Sequence, residues 1–154
     1  MVRKLETGVV VALGLALVFT FAASGRDTLT GPGTIKITDR LVKRTHVDGG
    51  RPGRGAGDID FYRGALFNKA KSSAPIGHSD ITCINTGTGS LNCSGTYFLP
   101  LGKIMVEGVI GSHLFFELAV VGGTELYDNV GGNLTVTSLG GSPAGELLVF
   151  RLEV

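Results

Sequence analysis

Asp39 is the residue in this sequence best suited to acid–base chemistry. It lies in an alternating run over 34–45, where Ile35, Ile37, Asp39 and Leu41 fall on one face and Lys36, Thr38 and Arg40 on the other. A carboxyl group on an otherwise apolar face loses solvation, which disfavours its charged form and raises its pKa. Tuned that way, it can serve as a general acid or base. The milder reading pairs it with Arg40, Arg63 or another inward cation. Tyr97 and Tyr127 offer hydroxyls that would orient a ligand, against the plainer role of satisfying a buried backbone group. Phe61 and Arg63 complete the ligand-binding candidates, although Phe61, like Phe67, Phe98 and Phe150, also suits packing. Glu117 stands between Phe115 and Ala119, opposite the uniformly apolar Leu114, Phe116, Leu118 and Val120. Strand alternation therefore places Glu117 outside or in a subunit contact.

Cys83 and Cys93 are the only cysteines, separated by the turn-rich INTGTGSLN. Two strands joined by such a loop would bring them face to face. In an oxidising compartment that predicts a disulfide, stabilising by about 2–3 kcal/mol for so short a loop; the alternative is a reactive thiol at Cys83. His46, His78 and His113 lie on separate segments without ligand spacing, so no metal site is expected. Ser73, Ser79 and Ser94 lack a nucleophile elbow. Gly49 and Gly50 lack the strand–loop–helix setting of a phosphate cradle.

The elements that must carry these residues are short and extended. In 154 residues there are 25 glycines and 5 prolines, and hydrophobic residues make up 43%. Glycine-rich turns between β-branched runs predict an all-β domain. The runs cover 34–45, 59–67, 76–85, 91–99, 103–110, 113–121, 134–139 and 145–154. Ile59, Phe61, Ala65 and Phe67 share one face of the second run. Gly122-Gly123-Thr124 reads as a sharp break, and the Gly/Arg/Pro stretch over 47–57 as a mobile loop. Eight strands in sequence predict an antiparallel up-and-down β-barrel, whose closure removes exposed edges; a two-sheet sandwich is the alternative. Eight strands enclose room for side chains or one small ligand. The net charge is +1, with a basic segment over 26–71 and an acidic one over 72–154. No stacking motif accompanies the basic residues, so no nucleic-acid partner is expected.

Arg3 and Lys4 precede an apolar run over 9–23, followed by small residues at Ala22, Ala23, Ser24 and Gly25. The run falls short of the roughly 20 apolar residues a spanning helix needs. Residues 1–25 therefore read as a cleaved signal helix and 26–154 as a single exported barrel domain.

Three blocks of sequence carry a family resemblance. They are Gly57-Asp58-Ile59-Asp60-Phe61, then 99–108 (LPLGKIMVEG), then Val120-Val121-Gly122-Gly123-Thr124 with Tyr127 and Gly132. Together they resemble the allene oxide cyclase and dirigent superfamily, most nearly its bacterial dirigent-like members. The resemblance implies an eight-stranded antiparallel barrel, often trimeric, with a largely apolar cavity and no cofactor. It implies steering of a ring closure or radical coupling by holding the substrate in one shape, with a separate oxidase partner where coupling is the reaction. Asp39 matches the position of the cyclases' first-strand glutamate, and Cys83 resembles their third-strand cysteine. Leu126 and Gly131 stand where dirigents carry an Asp and an Arg, which argues against lignan-type coupling. The expected function is thus binding of a small apolar organic molecule in the lumen and steering of its cyclisation. A lipocalin-like carrier and a barrel filled by its own side chains are the alternatives.

Overall fold

The computed structural model describes residues 28–50, 52–68, 74–111, 114–140 and 145–154. The signal-helix reading of 1–25 and His113 both lie outside them. Eight strands follow in order: β1 Gly33–Val47, β2 Ile59–Phe67, β3 Gly77–Asn85, β4 Leu91–Leu99, β5 Gly102–Ile110, β6 Phe115–Glu125, β7 Gly131–Gly140 and β8 Gly145–Glu153. Each pairs antiparallel with the next, and β1 pairs with β8, so the sheet closes into a barrel. No described residue is helical. The up-and-down barrel is the observed architecture, and the sandwich is excluded.

The barrel has two unlike halves. Around the end where β1 begins and β8 finishes, Leu66, Ile104, Leu134, Leu148, Phe150 and Leu152 are fully buried and pack the interior solid. These side chains come from inward positions of four strands, β2, β5, β7 and β8, as inward-facing residues of a small barrel must. Toward the opposite end the inward side chains diverge and leave a cavity.

The Gly122-Gly123-Thr124 segment is not a break, which corrects the sequence expectation. β6 runs on through it to Glu125, and its register against β5 shifts between Met105 and Val106. The chain turns at 126–129 instead, where the Tyr127 amide donates to the Thr124 carbonyl at 3.1 Å and the Asp128 amide to that of Glu125 at 3.1 Å. Gly123 is needed because the turn folds back over it: a Cβ there would meet the Tyr127 carbonyl oxygen. Tyr127 is thereby buried at the solid end of the barrel. Gly123→Ala is accordingly expected to destabilise the fold by about 2–4 kcal/mol, read as a lowered urea midpoint, because backbone rather than a flexible side chain stands in the way.

The stretch over 47–57, expected to be mobile, is tied down at its described residues. The Asp58 carboxylate accepts from the Gly49 amide at 3.1 Å and the Gly55 amide at 2.7 Å. The Gly57 amide donates to the Asn85 carbonyl, and the Asn85 amide to that of Asp58, each at 2.8 Å. The bonds from the Gly55 and Gly49 amides hold the Asp58 carboxyl below the usual carboxylate range. The loop thus forms part of the open rim.

Candidate functional site in the open half of the barrel

Asp39 points into the lumen, as alternation along β1 predicts. It is 8% exposed. Directly across the β1–β8 ladder stands Glu146, which also lines the lumen. The Ser79 hydroxyl of β3 donates to Asp39 Oδ2 at 2.5 Å. That bond passes over β2, and it fits because β2 presents Gly64 at the crossing. A Cβ on Gly64 would collide with the Asp39 carboxyl and the Ser79 hydroxyl. Gly64→Ala is therefore expected to break the Ser79–Asp39 bond and to destabilise the fold by about 1–3 kcal/mol. The check is a urea melt together with the carboxyl shift of Asp39, which should leave its native value.

The cavity above this floor has a volume of about 230 Å³. It is small beside the roughly 300–1,000 Å³ of pockets for drug-sized molecules. Tyr97 and Phe116 supply aromatic walls, Leu118 and Ile110 aliphatic ones, and Leu41 stands half exposed at the mouth. The Tyr97 ring lies edge-on to Phe150, with centroids 5.1 Å apart, so the packed half of the barrel sets its orientation.

Electrostatics in the lumen follow from burial. Desolvation raises the Asp39 pKa from 3.8 to about 6, although the Ser79 hydroxyl and the Arg40 backbone amide pull it partly back. Glu146 is raised too, first by burial and then by the charge of Asp39. Burial, with both carboxylates adding, pushes the Tyr97 hydroxyl well above its ordinary value. Tyr97 is therefore a neutral hydrogen-bond donor at physiological pH. Both carboxyls therefore hold their protons more tightly than they would in water, and the charge of Asp39 adds to the shift of Glu146.

Above the cavity the rim is polar. The register of β1 against β2 shifts between Leu41 and Lys43, and beyond it Arg44 and His46 join Asp58 and Asp60 around a second cavity of about 480 Å³. Arg44 binds Asp60 in a two-pronged pair, at 2.8 Å from Nη2 and 3.1 Å from Nε. His46 Nδ1 lies 3.0 Å from the same carboxylate. The Arg44 bonds hold the Asp60 carboxyl below its usual range. Tyr62 and Leu91 line both cavities, so the rim leads into the lumen.

Of the residues singled out from sequence, the structure gathers Asp39, Tyr97 and Cys83 around one cavity. Cys83 and Cys93 face each other across β3 and β4 and are joined as a disulfide, which removes the reactive-thiol alternative. Glu117 is outside, accepting from Thr135 Oγ1 at 3.1 Å. Three ligand-binding candidates are corrected. Tyr127 lies at the solid end and does not line the cavity. Phe61 is 43% exposed, and Arg63 is half exposed, 3.5 Å from Asp80. Both stand on the outer face of β2, because Tyr62, Gly64 and Leu66 take the inner one. A one-residue difference in parity exchanges the two faces of a strand. Tyr62, Ser138 and Glu146 are not singled out by the sequence, and Ser79 enters there only as a dismissed nucleophile. For Glu146 the signal existed: Glu146, Leu148, Phe150 and Leu152 alternate as Ile35, Ile37 and Asp39 do.

A closed eight-stranded antiparallel barrel with one packed half and one hollow half defines the class of small up-and-down barrels with a lumen cavity. The particular fold is that of the dirigent and allene oxide cyclase-like barrels. No protein-family model and no curated protein matches the chain. Among solved structures it is similar to pyocyanin demethylase, with a TM-score of 0.67, 24% identity, and coverage of 78% of this chain and 99% of that one. A pterocarpan synthase dirigent protein superposes with a TM-score of 0.62 at 12% identity, over 79% of this chain and 82% of the other. The Diels–Alderase AbmU from Streptomyces koyangensis gives a TM-score of 0.59 at 15% identity, over 86% and 72%.

Proposed function

We propose that this protein binds a small, largely apolar organic molecule in the open half of its barrel and steers a proton-coupled cyclisation of it. The observation that carries this reading is the pair of carboxyls, Asp39 and Glu146, opposite each other on β1 and β8 in a largely apolar cavity. A carrier of an uncharged apolar molecule needs the cavity but gains nothing from two buried acids, which burden the fold. One carboxyl, protonated, donates to a developing oxyanion or leaving group. The other, ionised, accepts the proton of the attacking group. Proton transfer of this kind contributes typically 10²–10⁴-fold in rate, and fixing the substrate in one folded shape contributes several kcal/mol more. Tyr97 would orient the substrate through its neutral hydroxyl. The neighbours described as a dirigent pterocarpan synthase and a Diels–Alderase support ring closure as the reaction type. A proton-transfer cyclisation requires no oxidase.

Ring closures that proceed spontaneously to a racemate, such as that of 2′-hydroxychalcone, provide the test. Wild-type protein should yield an enantiomeric excess, and Asp39→Asn and Glu146→Gln should return the racemate. A racemate from wild type over a panel of bound substrates would leave a binder without turnover.

Export and trimerisation belong to the same proposal. A buried disulfide favours an oxidising compartment. Met105, Val109, Phe115 and Val121 expose apolar surface on the outer face of β5 and β6, suited to a subunit contact. Mass spectrometry of the exported chain should show loss of about the first 25 residues, and light scattering should give three times the mass of the mature chain; a monomer would remove the trimer.

A further inference from the structure

We infer that the ligand of the lumen is a planar molecule that carries a positive charge, or an acidic N–H or O–H, at its buried end, and that it is not a carboxylate. This rests on the lumen-binding reading above and goes further in naming the chemical class. Among the described residues, every charged one lining the cavity is an acid: Asp39 and Glu146 are there, and no described Lys, Arg or His is. Asp39 Oδ1 is buried and has no hydrogen-bond partner among the described residues, although Oδ2 is served by Ser79. A buried acceptor left unpaired is unfavourable, and a donor brought by the ligand relieves it.

The walls agree with this class. Tyr97, Tyr62 and Phe116 present ring surface to the cavity, and aromatic faces attract a delocalised cation. The groups facing the carboxyl pair are Ser79 from β3, Tyr97 from β4 and Ser138 from β7. None is cationic. At the rim, Arg44 is taken up by Asp60, and Arg54 and His46 stand beside them with Asp58, so cations and carboxylates offset one another at the entrance. An anionic ligand, by contrast, would be placed next to two carboxyls with no counter-charge, an arrangement that disfavours it steeply in a partly desolvated cavity.

The test compares two molecules of nearly one shape and different charge, N-methylquinolinium and 1-methylnaphthalene, by ¹H–¹⁵N spectra of the full folded protein. Both should perturb the amides of Gly64, Ser79 and Gly145. At pH 8 the cation should bind at least about tenfold more tightly than the neutral isostere. That preference should fade below about pH 5, as the carboxyls take up protons, and should disappear in Asp39→Asn/Glu146→Gln. The double variant should still bind the neutral probe. Glu146→Gln alone should lower the preference and serves if the double variant does not fold. Equal or tighter binding of the neutral probe at pH 8, or a preference that survives the loss of both carboxyls, overturns the inference and leaves the lumen-binding reading standing. If neither molecule perturbs these amides, the lumen-binding reading falls, and the inference falls with it.

Discussion

Asp39→Asn is expected to be more stable than the native protein above pH 6, while losing whatever conversion the lumen performs. The ordinary pKa of 3.8 applies to the unfolded chain, and burial raises the folded value to about 6. The folded protein therefore holds this proton more tightly than the unfolded chain does. The stability associated with it is fully present below about pH 4 and is lost as pH rises through 6. At 1.36 kcal/mol per unit, the loss at pH 8 is about 3 kcal/mol. Glu146 shifts in the same direction and adds to the loss. Asparagine stays neutral and can still accept from the Ser79 hydroxyl, so most of that deficit should be recovered, about 1–3 kcal/mol. Urea melts at pH 8 and pH 4 check this: the variant should gain at pH 8 and show little difference at pH 4. An equal or lower stability at pH 8 would mean that Asp39 is not desolvated. A residue that weakens the fold and is nonetheless placed in the cavity fits a functional rather than a structural role.

The second large effect concerns the bridge between β3 and β4. Cys83→Ala/Cys93→Ala should lose about 2–3 kcal/mol through the freed loop of the unfolded chain, and more because both side chains are buried, at 3% and 0% exposure. Cys83 also lines the cavity. The same variant should therefore bind lumen probes more weakly, not merely melt earlier. Denaturation with and without reductant separates the two contributions: reductant should lower the midpoint of the native protein and leave the variant unmoved. A native midpoint insensitive to reductant would show that the bridge contributes nothing.

How far the molecule could be read from its residues depended on how one-sided each strand is. β1 is one-sided up to Leu41, with Ile35, Ile37 and Asp39 against Lys36, Thr38 and Arg40, and its inward carboxyl was legible. β8 is as regular, and Glu146 repeats the same logic, but one polar residue near a strand's start resembles a rim residue until its partner strand is known. β2 is mixed on both faces, with Asp60 among Tyr62, Gly64 and Leu66 and Arg63 among the others. The face with Ile59, Phe61, Ala65 and Phe67 is the greasier, yet it lies outside, where Phe67 is shielded by the Arg40 guanidinium 4.5 Å above its ring. What decides the matter is Gly64, whose missing side chain admits the Asp39–Ser79 bond, a long-range fact that no local pattern contains. The GGT block was informative as a resemblance and misleading as a turn. Glycines there admit the close backbone approach of a neighbouring turn within a continuing strand, and sequence periodicity cannot tell that from a chain reversal.

The state of the two carboxyls opposite each other on β1 and β8 decides whether the lumen is hollow and acidic. Carbon-13 detection of the side-chain carboxyl shifts of Asp39 and Glu146, followed from pH 3 to pH 9, measures it. Two coupled steps are predicted, both above the ordinary carboxylate range, with a midpoint for Asp39 near 6. Independent titration of both groups at ordinary carboxylate values would place them in water, and a hollow, apolar lumen with paired acids would no longer describe this barrel.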